Sequence, residues 1–257
     1  MPWELYDKLI EGVPADVLVR DYCLGAYWSY VEAESAMGVS YTCRGGATKS
    51  TDKRDFRGLP LRELAALSKS WCFEEATLGV AALNAWYGQK ALVDELGAVY
   101  DEPVELPDGS LRKQDAFEVM RPRIEAQGNA SVVVVGHFPH VDRIAEYAQL
   151  TVLERNCRDV IDLPDPACEY VLPSADFAFI TGVTLENKTA PRLLRLAERA
   201  TVTMVGPSVV MGRSLLEAGV DMAAGSIVID PDRARQSVKS GGGMSFGGAL
   251  QMVTISA

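Results

Sequence analysis

The chain has 257 residues, 48% hydrophobic and 23% charged, enough to bury a sizeable core in one large domain or two modest ones. Its 35 acidic and 25 basic side chains leave a net charge of −10 with no Lys/Arg cluster, which argues against nucleic acid or an anionic membrane as partner. No apolar run approaches the roughly 20 residues that span a bilayer, and the N-terminus has no basic region or signal core, so a cytoplasmic location without membrane insertion is expected.

Residues 3–12 predict a short amphipathic helix, with Trp3, Leu5, Leu9 and Ile10 near one face and Pro14 beyond its end. Residues 16–24 and 26–33 read as two strands joined at Gly25, and 39–43 as a third, which together make an antiparallel meander. Residues 44–58, with Gly45, Gly46 and Gly58, form a long loop of the kind that often carries function. Helices follow over 61–70, 73–87 and 89–96. The second is small and apolar nearly all round, which predicts burial. Pro103 and Pro107 mark a connector over 101–109. The domain boundary is placed near residue 112, dividing 1–112 from 113–257.

A helix over 114–127 leads into Ser131 and the four valines Val132, Val133, Val134 and Val135. Consecutive valines are apolar on both faces, as in a strand buried inside a mostly parallel sheet. Gly136 ends the run, and an amphipathic segment follows over 141–150. Strand, Gly-containing turn, helix is the opening unit of a doubly wound domain. Strands at 151–154, 177–181, 201–205 and within 221–229 then alternate with helices at 190–200, 215–218 and 231–239. The predicted fold is α/β: a Rossmann-like, mostly parallel sheet preceded by a smaller α+β domain. Residues 241–248 hold five glycines in eight and are either a mobile tail or backbone that must come close to something.

Ligands of doubly wound domains sit outside the carboxyl ends of the strands. Three of those ends carry turns rich in Gly, Pro, Ser and Thr: Gly136-His137-Phe138-Pro139, Thr181-Gly182-Val183-Thr184 and Gly206-Pro207-Ser208. Glycine lets a backbone N–H approach a ligand, and hydroxyls and helix N-termini suit phosphate or carboxylate. Such turns also need Gly, and caps Ser or Thr, without any ligand. Three on one sheet edge point to a pocket. A G-x-G-x-x-G turn is absent, so NAD is not favoured. Glu154 follows Gly136 by 18 residues, where nucleotide-binding folds place a ribose-binding acid, and would meet a hydroxyl or a cation.

The two histidines, His137 and His140, both lie in the central turn. They are candidate metal ligands or acid–base groups, His137 the stronger of the two; the plainer alternative is a local hydrogen bond for His137 and a helix cap for His140. Cys157 and Cys168 would add soft ligands. Five cysteines without a C-x-x-C pair make disulfide scaffolding improbable, and Cys23 and Cys72 read as buried small hydrophobes. Asn84 is polar within an apolar helix and must find partners, either in loop backbone or in an interdomain cleft. Lys49, Lys53 and Arg54 either close over an anion or are solvated. Asn187 precedes a helix, where capping by it or by Thr189 accounts for it. Ser208 is not in a G-x-S-x-G elbow.

Several phrases occur together in consistent order: Val134 to Pro139, Val152 to Arg155, Leu163 to Ala167, Leu172 to Asp176, Ile180 to Thr189 and Val205 to Ser208. With the upstream segments 61–65 and 79–85, they resemble the heavy-metal chelation family. The resemblance implies an enolase-N-terminal-like α+β domain, a Rossmann-like domain after it, a site in the cleft between them and a link to metal or metal-chelate handling. The family pattern Thr-Leu-x-Asn-x-Thr is kept at Thr184, Leu185, Asn187 and Thr189. Val209-Val210-Met211-Gly212 replaces the usual Pro-rich stretch.

The leading expectation is a small anionic ligand, a heavy metal or a metal chelate, held in the cleft. Gly136 to Pro139, Thr181, Gly182, Thr184, Asn187 and Gly206 to Ser208 would form the floor, with Glu154 at one side and residues 44–54 with Asn84 as the roof. The cofactor is left open: a divalent heavy-metal ion is the candidate, with His137 as its candidate ligand. The alternative is a lyase or transferase acting on a small carboxylate or nucleotide-like substrate with His137 as acid or base. A regulatory module with a vestigial cleft is the third reading. A homodimer is the default assembly.

Overall fold

A computed structural model describes residues 3–46, 54–102, 104–105, 111–112, 115–241 and 246–257. Lys49 and Lys53, Pro103 and Pro107, and part of the Gly-rich run 241–248 lie outside the described residues.

A three-stranded antiparallel sheet opens the fold, formed by β1 (Val19–Cys23), β2 (Trp28–Ala33) and β3 (Met37–Tyr41) in that order. It is preceded by α1 (Glu4–Glu11) and followed by α2 (Leu61–Ala65), α3 (Phe73–Tyr87) and α4 (Lys90–Glu95). The predicted helix over 61–70 is split, its second half tightening into a 3₁₀ turn at Ala66–Lys69. α3 is buried along most of its length because small residues let other backbone reach it. A Cβ at Gly38 of β3 would stand 2.1 Å from the Ala85 nitrogen, and one at Gly79 would stand 2.0 Å from the Ser68 nitrogen. Strand and helix backbones are therefore in direct contact on both sides of α3.

The short strands β4 (Val99–Tyr100), β5 (Val104–Glu105) and β6 (Leu111–Arg112) precede α5 (Ala116–Gln127), whose first turn is capped by Asp115 accepting from the Glu118 N–H at 3.0 Å. Next come β7 (Ser131–Val135), β8 (Gln149–Glu154), β9 (Asp162–Pro164), α6 (Cys168–Val171), β10 (Phe177–Thr181), α7 (Ala190–Leu196), β11 (Thr201–Val205), α8 (Arg213–Glu217), β12 (Met222–Val228), α9 (Pro231–Lys239) and β13 (Leu250–Ser256). Eight strands form one sheet in the order β4-β13-β12-β11-β10-β7-β8-β9, parallel from β12 through β9 and antiparallel at β13 and β4. The fold is thus mixed α/β, a mostly parallel sheet beside a smaller antiparallel one.

The valines of β7 divide by parity. Val133 and Val135 enter the core that also holds Leu9, Val31, Val80 and Leu83, whereas Val132 and Val134 face Met120 and Ile124 of α5. One apolar core therefore joins the first sheet's helices to the second sheet. The segment 141–150 is not one helix. It is a 3₁₀ turn at Val141–Glu146 entered through His140 at φ 60°, and β8 begins at Gln149. The chain runs from β7 out to β8 and β9, then returns to β10 on the other side of β7. The switch point of the sheet lies between β7 and β10, and crevices form at the carboxyl ends of such neighbours. No helix among the described residues is long and apolar enough to cross a membrane.

Candidate functional site

A cleft of about 980 Å³ opens at the carboxyl ends of β7, β8, β10 and β11. Its floor includes Gly136 to Pro139, Glu154, Thr181, Thr184, Asn187 and Gly206 to Ser208. Its other wall comes from the first sheet: the β1–β2 turn at 26–28, residues 41–46 after β3, and Phe73 at the start of α3. Two residues singled out from sequence stand behind the lining. Gly182 is packed so closely that a Cβ would lie 2.5 Å from the Val209 nitrogen, which leaves no room for a side chain between the β10 and β11 turns. Asn84 donates to the carbonyls of Val39 at 2.9 Å and Pro207 at 3.2 Å, a strut between β3 and the 206–208 turn.

The β7 turn starts at Gly136, whose φ of 104° favours glycine. The next residue, His137, is fixed by two acids. Glu154 accepts its backbone N–H at 3.1 Å and those of Arg155 and Asn156 at 2.7 and 3.2 Å, so both Glu154 oxygens are engaged by the chain itself. The His137 ring meets Asp162 through Nδ1, at 2.8 Å from Oδ1. The second Asp162 oxygen accepts from the N–H groups of Arg158 and Asp159 at 2.8 and 3.0 Å. Burial works against charge on Asp162, but those N–H donors and the imidazole outweigh it and hold the carboxyl below its ordinary range. An imidazole held at Nδ1 by a carboxylate keeps a fixed orientation, with Nε2 available for an acid–base or ligand role. Phe138 packs edge-on against Phe117 at 5.4 Å and anchors the same turn from below. His140 is exposed and outside the lining.

The β10 turn caps itself: Thr181 Oγ1 accepts from the Val183 N–H at 3.4 Å, and the Thr184 hydroxyl donates to the Thr181 carbonyl at 2.7 Å. Asn187 Oδ1 accepts from the Thr189 N–H and hydroxyl at 3.1 and 2.6 Å. Between them lies Glu186, with no solvent exposure. Its Oε1 accepts from the Ser40 hydroxyl, and its Oε2 has no hydrogen-bond partner. Burial pushes this carboxyl up to about 7. Lys188, at φ 68°, donates to the Glu186 carbonyl at 2.5 Å, and burial pulls its ammonium down to about 8 against the attraction of Glu186.

The cleft's cations are Arg44, Arg155 and Arg158, all exposed on the lining. Among the described residues none of the three is ion-paired with a carboxylate. Of the lining acids, Glu154 is satisfied by backbone and Asp165 is paired with Arg192 at 2.8 Å. The cleft is therefore positive in a protein of net charge −10. Arg155 and Lys188 also stand over the Phe73 ring at 5.8 and 5.7 Å.

The sequence matches two family models with the same description, “Putative heavy-metal chelation”: DUF364 over residues 116–253 and DUF4213 over residues 6–87. The chain belongs to the DUF364 family. A solved DUF364 structure from Desulfitobacterium hafniense, a protein of unknown function, is 32% identical and superposes with a TM-score of 0.86, covering 99% of this chain and 98% of that one. Another from Pyrococcus horikoshii shares the fold at 22% identity and a TM-score of 0.81, with full coverage of both chains. An uncharacterized protein of Methanocaldococcus jannaschii is 28% identical over 96% of this chain and 93% of its own length.

The family description raises the question of a metal. Among the described residues no three His, Cys, Asp or Glu side chains are grouped to hold an ion. Cys43 and Cys168 line the cleft, but burial pushes both thiols up, Cys43 to about 12 with help from the Glu186 charge. A bound ion would itself deprotonate such a thiol, so what does not fit a resident bare ion is the lack of three grouped donors among the described residues. Sequence reading missed Asp162, Glu186, Lys188 and the Arg155/Arg158 pair. The clues were local: Glu186 and Lys188 fill the variable positions of the 184–189 motif, and the two arginines follow the Glu154 already singled out.

Proposed function

We propose that the cleft binds a small anionic ligand, and that a heavy metal reaches it as the centre of an anionic chelate. The observation that carries this reading is the charge balance of the lining: three arginines without carboxylate partners, facing acids already satisfied by backbone or by Arg192. Hydrogen bonds from charged donors to carboxylate or phosphate are the stronger kind, and arginine's planar fork suits both groups. The amide nitrogen of Asn187, which has no partner among the described residues, adds a neutral donor. His137 Nε2 is the one imidazole nitrogen offered to the ligand.

Citrate tests this reading as a probe. Ligand that binds only the folded state raises the melting temperature with concentration. Citrate should do so for the wild type and lose most of the effect in the Arg155→Ala/Arg158→Ala double variant. An equal shift in both proteins would place the anion elsewhere.

The His137–Asp162 pair supports a second reading, a lyase or transferase step with His137 as acid or base. His137→Ala would then abolish turnover of an anionic substrate with binding largely kept, and Asp162→Asn would lower turnover through the ring's orientation. Unchanged turnover in His137→Ala would remove this role.

A further inference from the structure

Behind the floor of the cleft runs a chain of hydroxyls. Ser208 lines the cleft, and its Oγ accepts the Tyr41 N–H at 2.9 Å and lies 3.2 Å from Ser40 Oγ, where either atom can donate. Ser40 Oγ in turn bonds Glu186 Oε1. All three side chains are buried, at 2%, 0% and 0% exposure, and the chain ends on a carboxyl whose other oxygen has no partner. A buried carboxylate normally collects several donors. The close donor here is the Ser40 hydroxyl, with lesser help from Ser208 and from Glu186's own backbone N–H, and a hydroxyl can turn round.

We infer that Ser208 presents a hydrogen-bond donor or an acceptor to the cleft according to whether Glu186 carries a proton, the change being relayed by rotation of the Ser40 and Ser208 hydroxyls. With Glu186 ionised, Ser40 donates to Glu186, Ser208 donates to Ser40, and Ser208 offers the cleft only a lone pair. With a proton on Oε1, Glu186 donates to Ser40, Ser40 donates to Ser208, and the Ser208 O–H is free for the ligand. One proton is gained from solvent at Glu186, no other covalent bond changes, and each hydroxyl keeps its own hydrogen. The inference rests on the reading of the cleft as an anion site. Anion binding then favours the protonated carboxyl, and by reciprocity protonation favours the anion.

The groups facing Glu186 come from three sides. Lys188 of its own turn attracts the charged form. Cys43, after β3, is held as the neutral thiol in part by the Glu186 charge. Tyr6 of α1 donates to the Leu185 carbonyl at 2.8 Å, and the Glu186 charge adds to the burial that keeps its phenol protonated. Burial of Glu186 outweighs the help of Ser40, Ser208 and Lys188, so its proton leaves near neutrality.

Two measurements on the full chain decide the matter. Difference infrared spectroscopy between about pH 5 and about pH 9 follows the protonated-carboxyl band of Glu186, identified by its loss in Glu186→Gln. The relay requires that Ser208→Ala and Ser40→Ala each displace the midpoint, and that sulfate raise it in the wild type. Calorimetric titration with sulfate, whose charge is constant over that range, gives the second readout. Wild-type affinity should fall by about tenfold more than that of Glu186→Gln as pH rises through neutrality, the scale of one charge-assisted hydrogen bond. Sulfate binding with the same pH profile in wild type and Glu186→Gln overturns the relay and leaves the anion site standing. No sulfate binding at any pH counts against the anion site. In that case a midpoint unmoved in Ser208→Ala overturns the relay as well, and a moved one supports it. If Glu186→Gln does not fold, Ser40→Ala takes its place in the sulfate titration, and the band is identified as the one whose midpoint Ser40→Ala displaces; no displaced band then overturns the relay.

Discussion

Two buried carboxylic acids flank the cleft and have been treated in opposite ways. Asp162, on the β7–β9 side, has a fully covered side chain and accepts from two backbone N–H groups and the His137 ring, and it is held charged. Glu186, beyond β10, is fully buried, with the Ser40 hydroxyl on Oε1 and no hydrogen-bond partner on Oε2. Its proton is held to about 7. Burial opposes charge on both. At Asp162 the N–H donors and the imidazole outweigh it, and at Glu186 it outweighs the help of Ser40, Ser208 and the residue's own backbone N–H. Asp162 is built as a fixed brace for the imidazole, and Glu186 as a group that changes state near neutrality.

The largest effect expected is from Asp162→Ala, which strands two backbone N–H groups and one ring nitrogen. It should cost about 3 kcal/mol in chemical denaturation, with Asp162→Asn recovering part of the loss because one oxygen remains. A cost under about 1 kcal/mol would break the contrast by showing that the donors do not need the acid.

Glu186 gives the next effect and the opposite sign. Its folded value lies above the ordinary glutamate value of 4.5, at about 7, so the native state binds the extra proton. Its contribution is fully present below about pH 4.5 and is lost as pH rises through about 7, roughly 3 kcal/mol in all. Lys188, lowered from 10.5 to about 8, works in reverse, and stability from it returns as pH rises from about 8 toward 10.5. Wild-type stability from this pair should therefore reach a minimum between about pH 7 and about pH 8. Glu186→Gln should remove the falling limb, as read from denaturation midpoints across pH. A falling limb of equal depth in the variant would contradict the account. Asp162 behaves normally for a stabilised carboxylate: its contribution is present above the unfolded value near 3.8 and is lost in acid.

Smaller effects sharpen the comparison by moving one side only. Gly182→Ala drives a methyl against the Val209 nitrogen and the Ser208 carbonyl carbon, at 2.5 and 2.7 Å, and should cost about 2 kcal/mol while displacing Ser208. Its signature is a shifted Glu186 midpoint with the His137–Asp162 contact intact by NMR. Asn84→Ala, which frees the carbonyls of Val39 and Pro207, should cost about 1 kcal/mol and act in the same direction.

The parallel sheet was legible because its strands announce themselves locally. Val132 to Val135 are apolar on both faces since the two faces meet different cores, and Gly136, Thr181 and Gly206 end strands in turns of recognisable chemistry. The antiparallel edge was not. β13 follows the Gly-rich run, and its identity as a strand comes from antiparallel pairing with β12 along Met222–Val228, a contact between segments separated in the chain. β9 has three residues and owes its place to β8. The site divides in the same way. The floor turns could be read one by one, and they line one cleft. Asp162 could not be read, because its partner His137 lies 25 positions away in the chain. Glu186 stood in plain view inside a quoted motif, but an acid beside a lysine reads as solvated surface until the first sheet is laid over it.

The most direct test of the anionic-ligand account is native mass spectrometry of the purified full chain, with elemental analysis of the same sample before and after equilibration with free divalent ions. The account predicts a retained small acidic molecule, with any metal present in proportion to it, and no stoichiometric uptake of bare ions. Stoichiometric uptake of a bare ion that is lost in His137→Ala, with no small molecule retained, would contradict it.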